Sequence, residues 1–225
     1  MTWPKKPAVR RAITQNLIVS IALEMLKQSD LDSVSMRRIA QSLSTGPASL
    51  YAHVSSKEEL HELMLDELLG TIELPEPDPA RWQEQLKEVA RKQLAVLTAH
   101  PGIARIAMET TVPTGPNSLR HGEGVLALLR AGGLPDRVAA LAFDTVAQWC
   151  AAFAVEASGH DSGEIDPADL RQRMARIEEY MTERATEFPN LISLGATLAS
   201  TPIEERFEFG LEVFLAGIAA VARKR

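Results

Sequence analysis

The sequence predicts an all-α protein: an N-terminal three-helix domain followed by a larger helical body. Three observations support this. Apolar residues recur at i, i+3 and i+4, and no stretch alternates apolar with polar residues as a half-buried strand does. Helix-start signals stand before most apolar runs: a Ser, Thr or Asp, often with Pro at the next position or Glu three further on. Most of the 13 Pro and 13 Gly fall between those runs, where they end helices without interrupting them.

The elements follow in order. Ile13, Leu17, Ile21 and Met25 repeat every four residues and mark an amphipathic first helix from about Arg10 to Lys27. Ser35 is placed to N-cap a short second helix, with Val34 before the cap stapling onto Ile39. Ile39 and Leu43 share its inward face, and Ala40 allows close crossing. Ser44-Thr45-Gly46 forms a turn, and Pro47 opens a third helix, where its missing N–H needs no partner. Leu50 and Val54 face inward; Ala48, Ser49, Tyr51, Ala52 and His53 face out. Ser56-Lys57-Glu58-Glu59 is a capping box that opens a helix to about Ile72, apolar over a broad arc and so sandwiched between two bodies.

Residues 74–79, LPEPDP, break that helix. Asp78 caps the next one with Pro79 at its first position, and it runs to about Ala99 with Trp82, Leu86, Val89, Leu94 and Leu97 inward. After His100-Pro101-Gly102 a short helix reaches about Thr111; VPTGPN is a loop. Ser118 starts a helix ending at Gly132-Gly133, and a long one spans about Asp136 to Ala157. SGHDSGEID reads as a polar loop, and Asp166-Pro167 opens a charged helix to about Glu187. Residues 189–200 read as irregular or a short helix. Thr201-Pro202-Ile203-Glu204 is a capping box that opens the last helix, to about Ala222. That makes ten helices, with no strand and no internal repeat.

Two short helices joined by a tight turn, followed at once by a third, are the outline of a helix-turn-helix that grips DNA. The residues Leu43, Pro47, Leu50-Tyr51, His53-Val54 and Lys57 stand at a spacing that resembles the DNA-binding domain of the tetracycline-repressor (TetR) family, without gaps. One position departs: the family usually has Gly after the Leu of the turn, where this chain has Ser44. The resemblance implies that Arg37 reaches from the second helix into the major groove. It puts Ser49, Tyr51 and His53 on recognition-helix positions and Lys57 on a phosphate contact at the start of the next helix. It further implies that the last helix and the long helix before the polar loop form a four-helix dimer interface with their copies. Tetracycline repressor itself uses a metal-chelating His in the short helix after the first body helix. Residues 103–111 hold none here, so a metal–tetracycline ligand is not expected.

The expected domains are a helix-turn-helix domain with a basic arm at 1–56, a connecting helix at 57–73, and an effector-binding and dimerisation domain at 74–225. Charge agrees with the division: residues 1–60 carry eight Lys/Arg against five Asp/Glu, and the rest of the chain carries a net −9. The single Cys150 excludes an internal disulfide. No run approaches a membrane span and no apolar signal core follows MTWPKKP, so a cytoplasmic protein without membrane contact is expected.

The expected DNA-binding set is Arg37, Pro47, Ala48, Ser49, Tyr51, Ala52, His53 and Lys57. Tyr51, His53, Lys57 and the arm residues Lys5, Lys6, Arg10 and Arg11 suit phosphates, which give affinity and salt dependence. Arg37 suits a bidentate contact with guanine. Ala48 and Ala52 offer only methyl groups, so few side chains read bases and DNA shape matters. In the body, Met108, Glu109, His121, Leu126, Trp149, Phe153 and Met174 are the candidate effector contacts, with Gln148 as a further polar handle; each is also compatible with plain core. Phe207, Gly210, Leu211, Phe214, Gly217 and Ile218 form the candidate dimer stripe, with intramolecular core as the alternative.

No H-E-x-x-H, nucleophile elbow or P-loop is present, and no two histidines fall at metal-ligand spacing on one expected helix. No cofactor, metal or catalytic residue is therefore expected. The expected partners are a double-stranded DNA operator, a small-molecule effector and a second copy of the chain. The function expected is a ligand-responsive transcriptional regulator, a repressor released by its effector. The alternatives are a ligand-free dimeric DNA-binding module and a small helical enzyme.

Overall fold

The computed structural model describes residues 12–100, 102–110, 112–161 and 166–223. Among these residues, eleven α-helices and one 3₁₀ turn make up the regular structure, and there is no strand. The head holds α1 (Gln15–Gln28), the 3₁₀ turn (Leu31–Ser33), α2 (Met36–Ser42) and α3 (Ala48–Tyr51), and α4 (Lys57–Leu69) follows. The body holds α5 (Trp82–Thr98), α6 (Ile103–Glu109), α7 (Pro116–Ala131), α8 (Asp136–Asp161), α9 (Pro167–Glu183), α10 (Pro189–Ser200) and α11 (Ile203–Arg223).

α1 starts later than its apolar repeat implies. Thr14 is the cap, its hydroxyl accepting the Leu17 N–H at 3.2 Å. The buried face is Ile18, Val19, Ala22, Leu23 and Leu26. The 13/17/21/25 repeat is only its half-buried flank, a rotation of about one residue, or ~100°. The cap of α2 stands where the sequence puts it, while Pro47 is the N-cap of α3 and not its first residue. The Ser35 hydroxyl accepts the Arg38 N–H at 3.3 Å, and Val34 and Ile39 beside it are fully buried.

The turn after α2 is closed by paired backbone bonds, Thr45 N–H to Ala40 C=O at 2.9 Å and Ser44 N–H to Gln41 C=O at 3.1 Å. This closure requires a left-handed residue, and Ser44 takes φ 51°. A side chain there costs roughly 1–2 kcal/mol, so the departure from Gly is a local strain. Ser44→Gly is expected to raise stability by about 0.5–1 kcal/mol, because glycine's greater freedom when unfolded offsets part of the relief. Thermal denaturation checks this; an unchanged or lower midpoint would show that the turn carries no strain.

α4 opens on Ser56, whose hydroxyl accepts the Glu59 N–H at 3.0 Å. The return half of the box lands one residue early: the Glu59 carboxylate takes the N–H and the hydroxyl of Ser55. α5 begins three residues later than expected. Asp78 caps the turn before it, accepting the Ala80 N–H at 2.8 Å, rather than the helix itself. Buried Gln85 ties down the linker, donating to Glu76 C=O at 2.7 Å and accepting the Asp78 N–H at 2.9 Å.

Further on, α7 starts at Pro116 rather than Ser118, and α8 runs on through residues 158–161, which the sequence reads as loop. Residues 189–200 are regular helix, and α9 and α10 bury hardly any of their described residues. By length and composition 136–158 could cross a membrane, against the expectation that no run does. The stretch is instead the central helix of the body, against α5, α6, α7 and α11.

The buried residues of α1 to α4 form one cluster with Leu97, Ile103, Ala104, Ile106 and Ala154. The core of the head is therefore continuous with the body through α4 and α6. Arg105 of α6 reinforces the seam with an exposed ion pair to Asp32 at 3.2 Å.

Candidate DNA interface and effector cavity

Leu50 and Val54 are fully buried and anchor α3 to the head. Gln15 Nε2 donates to the His53 carbonyl at 3.2 Å, fixing the end of α3 to α1. That leaves Pro47, Ala48, Ser49, Tyr51, Ala52 and His53 exposed, as are Arg37 of α2 and Lys57 of α4. The two adjacent arginines of α2 differ in a way the sequence does not show. Arg38 Nη1 donates to the Ser33 carbonyl at 2.8 Å and is committed within the head. Arg37 makes no ion pair among the described residues.

Lys57 occupies the first turn of α4, where a cation opposes the helix dipole. It makes no ion pair among the described residues. Glu59 nearby is held below the usual carboxylate range by the Ser55 hydroxyl and N–H. Its carboxylate is turned into the cap. The arm residues Lys5, Lys6, Arg10 and Arg11 lie outside the described residues.

The body encloses a cavity of about 480 Å³ bounded by α4, α5, α6, α7 and α8. Leu65 and Leu69 line it from α4, and Leu86, Val89 and Leu97 from α5. α7 contributes Ser118, His121, Gly122 and Val125, at i, i+3, i+4 and i+7. Its wall is mainly apolar, with Gln93, Thr110, Ser118, His121, Asp144 and Gln148 as polar points. His121 is 8 % exposed, and its Nε2 lies 3.2 Å from Gln93 Oε1. Burial pushes its pKa down.

Of the expected effector contacts, Met108, His121 and Gln148 line the cavity; Glu109, Leu126, Trp149, Phe153 and Met174 do not. The reason is helix phase. α8 turns Phe143, Asp144, Ala147, Gln148 and Ala151 to the cavity, so Trp149 and Phe153 fall on the far side of the helix, roughly 150–170° round. Trp149 stacks there on Phe207 at a ring-centroid distance of 4.8 Å, and Phe153 meets the same ring tilted at 5.2 Å. Leu126 is displaced from the α7 stripe in the same way. Met174 is exposed on α9, and Glu109 is exposed at the end of α6. Gln93 also lines the cavity, as the polar member of the helical stripe Leu86-Val89-Ala90-Gln93-Leu97, a spacing legible in the sequence.

The dimer stripe divides between core and surface. Phe207 and Leu211 are 2 % and 1 % exposed within the protomer. A Cβ at Gly210 would lie 2.3 Å from Trp149 Cζ2, so that glycine serves the approach of α8 to α11 inside one chain. Phe214 also meets Trp149, and Ile218 is half-buried. The rest of the stripe lies on the surface side: Phe214, Gly217 and Ile218 line an apolar groove, and the exposed apolar positions beside them include Phe209, Val213 and Val221. Val213, Gly217 and Val221 flank the groove with Leu141 and Thr145 of α8. Between α5 and α11, a bidentate Arg91–Glu208 pair, 2.6 and 2.8 Å, fixes the orientation of that face.

Comparison with known proteins agrees with this architecture. The model for "Bacterial regulatory proteins, tetR family" matches residues 18–64, and that for "Tetracyclin repressor-like, C-terminal domain" matches residues 74–222. An HTH-type transcriptional regulator of Saccharopolyspora erythraea is 30 % identical over 97 % of this chain and 89 % of its own length. The HTH-type transcriptional repressor DrrR1 of Streptomyces coeruleorubidus is 27 % identical over 95 % of this chain and 80 % of its own length. Among solved structures, the Streptomyces coelicolor TetR family protein ActR in complex with (S)-DNPA superposes with a TM-score of 0.83. It is 42 % identical and covers 94 % of this chain and 100 % of its own. The same protein in complex with actinorhodin gives 0.84 at 41 % identity, covering 94 % of this chain and 99 % of its own.

Proposed function

Because this chain belongs to the TetR family of bacterial transcriptional regulators, we propose that it is a homodimeric repressor that a small molecule releases from a palindromic operator. Membership makes it a DNA-binding regulator and not an enzyme. Proteins of this family bind DNA as dimers, and the apolar α8–α11 face is the surface this chain offers a second copy. One recognition surface then enters each major groove, with the half-sites about one helical turn apart. We assign the head, residues 1–56, to the operator, and residues 57–73 to the connection. Residues 74–225 are assigned to effector and dimer, all in the cytoplasm where the DNA is. No metal or cofactor is assigned.

The observation that carries the reading is that α4 forms part of the cavity wall. Leu65 and Leu69 face the cavity, while Lys57 at the other end of the same helix follows directly on the reader. A molecule that fills the cavity acts on the helix that positions the reader. If the filled conformer sets the two readers at the wrong spacing, DNA is released. Moving a population from 1:99 to 99:1 requires about 5.5 kcal/mol of differential binding. The wall chemistry suits a largely apolar effector with a few hydrogen-bonding groups that meet Gln93, His121 and Gln148. ActR, solved with actinorhodin and with (S)-DNPA, supports a small-molecule occupant. The cavity speaks against the ligand-free module.

The test is a compound library screened by thermal shift against the parent protein and Ala147→Trp, whose indole enters the cavity from α8. A ligand at about 100 times its Kd stabilises by ~2.7 kcal/mol. Compounds that stabilise the parent and not Ala147→Trp are expected to displace labelled operator from the parent alone. Cavity ligands that leave operator affinity unchanged would contradict release by effector.

A further inference from the structure

Asp66 is 6 % exposed and lies in the middle of α4. Its Oδ1 accepts the Ser118 N–H at 2.7 Å, and its Oδ2 accepts from Asn117 Nδ2 at 3.1 Å. The Ser118 N–H is a first-turn backbone donor of α7 and the Asn117 amide is a side chain of the same turn; α7 has no cap of its own, since Gly115 at its N-cap offers no side chain and Pro116 no N–H. Asp66 therefore caps α7 from another helix, its charge complementing the positive end of the α7 dipole.

The contact continues along α4. Thr114 Oγ1 donates to Glu62 Oε2 at 3.2 Å one turn earlier, and one turn later a Cβ at Gly70 would lie 2.8 Å from Asn117. Residues 62, 66 and 70 form one stripe, at i, i+4 and i+8, applied to the start of α7. At Gly115, φ −69° and ψ 146° suit any residue, so backbone does not require glycine there. The approach of Asp66 does: a Cβ would lie 2.1 Å from Oδ1.

The joint is also part of the cavity wall. Ser118 lines the cavity next to the capped N–H, and Leu65 and Leu69 line it on either side of Asp66. A buried carboxylate cannot slide off a helix N-terminus gradually, since it loses its donors before it regains water. Displacements of the first turn of α7 are thus passed to α4 as a unit.

We propose that Asp66, capping α7 from α4, is the positioning residue that sets the angle of α4 and so the spacing of the two DNA-reading heads. The proposal rests on the role of α4 as carrier of the reader, stated above, and needs no bound effector, so it stands or falls apart from release by ligand.

The test uses the full-length dimer spin-labelled at Glu24→Cys, an exposed α1 position. Cys150 is fully buried, with its thiol pushed up to about 12, and stays unlabelled. Head-to-head distance is read by pulsed electron spin resonance and operator binding by anisotropy. The parent is expected to give one narrow distance, and Asp66→Asn, which keeps an acceptor for the Ser118 N–H but loses the one for Asn117 Nδ2, to lie between it and the alanine variant. Asp66→Ala, and Gly115→Ala acting from the α7 side, are expected to broaden the distribution and weaken operator binding at least fivefold. The two variants break the joint independently, so poor folding of one leaves the other decisive. A narrow, unchanged distance in the folded Ala variants, with only the melting temperature lowered, would overturn the proposal.

Discussion

Val213→Glu is expected to convert the dimer into a folded monomer and to lower operator affinity by two to four orders of magnitude, the gain that joining two half-site readers supplies. Val213 is 55 % exposed in the protomer, on the apolar groove between α8 and α11. In a two-fold interface each side chain occurs twice, so one substitution places two carboxylates in a surface that excludes water. The effective cost of burying such a charge is several kcal/mol for each ion. Because Val213 contributes little to the protomer core, the helical content should be kept. Leu211→Glu, two residues earlier but 1 % exposed, is expected instead to unfold the body. Sedimentation equilibrium, circular dichroism and operator anisotropy separate these outcomes. A dimer that survives Val213→Glu with unchanged affinity would place the interface elsewhere.

Arg37→Ala is expected to cost about 1–3 kcal/mol per half-site and to blur preference at one base pair in each. Arg38 is bound to the Ser33 carbonyl, so it cannot substitute for its neighbour without opening the α2 start. Arg37 is exposed on the reader and unpaired among the described residues. Its five donors in a fixed fork suit the O6 and N7 acceptors of guanine. Lys57→Ala is the contrast. A lysine at a helix start is a point charge suited to phosphate, so its loss should weaken binding to every sequence alike. It should also reduce the slope of log affinity against log salt by about one phosphate. Titrations of operator and of single-base variants over a salt series measure both. Equal loss on every sequence for the two variants would contradict this division of roles.

The local features were legible in the sequence. Ser35, Ser56 and the strained Ser44 each act within five residues, and the chemistry of a cap or a turn is complete within that span. Amphipathic faces were legible to within about one residue, which is too coarse to assign function. On α8 one step separates Gln148 in the cavity from Trp149 in the aromatic cluster, and on α11 two steps separate Leu211 in the core from Val213 at the surface. Both helices are apolar on more than one side, so hydrophobicity alone cannot choose between core, cavity and interface. Asp66 was not legible at all. Its donors lie 51 and 52 residues away, and in the sequence it is one more acid on an amphipathic helix.

The most direct test of the central claim, that this chain is a sequence-reading dimer, is selection from random duplex DNA with the purified full-length protein at physiological salt. Recovery of a single inverted repeat is the result expected from two readers held at fixed spacing by the α8–α11 interface. Recovery of nothing above non-specific binding, from folded and dimeric protein, would contradict it.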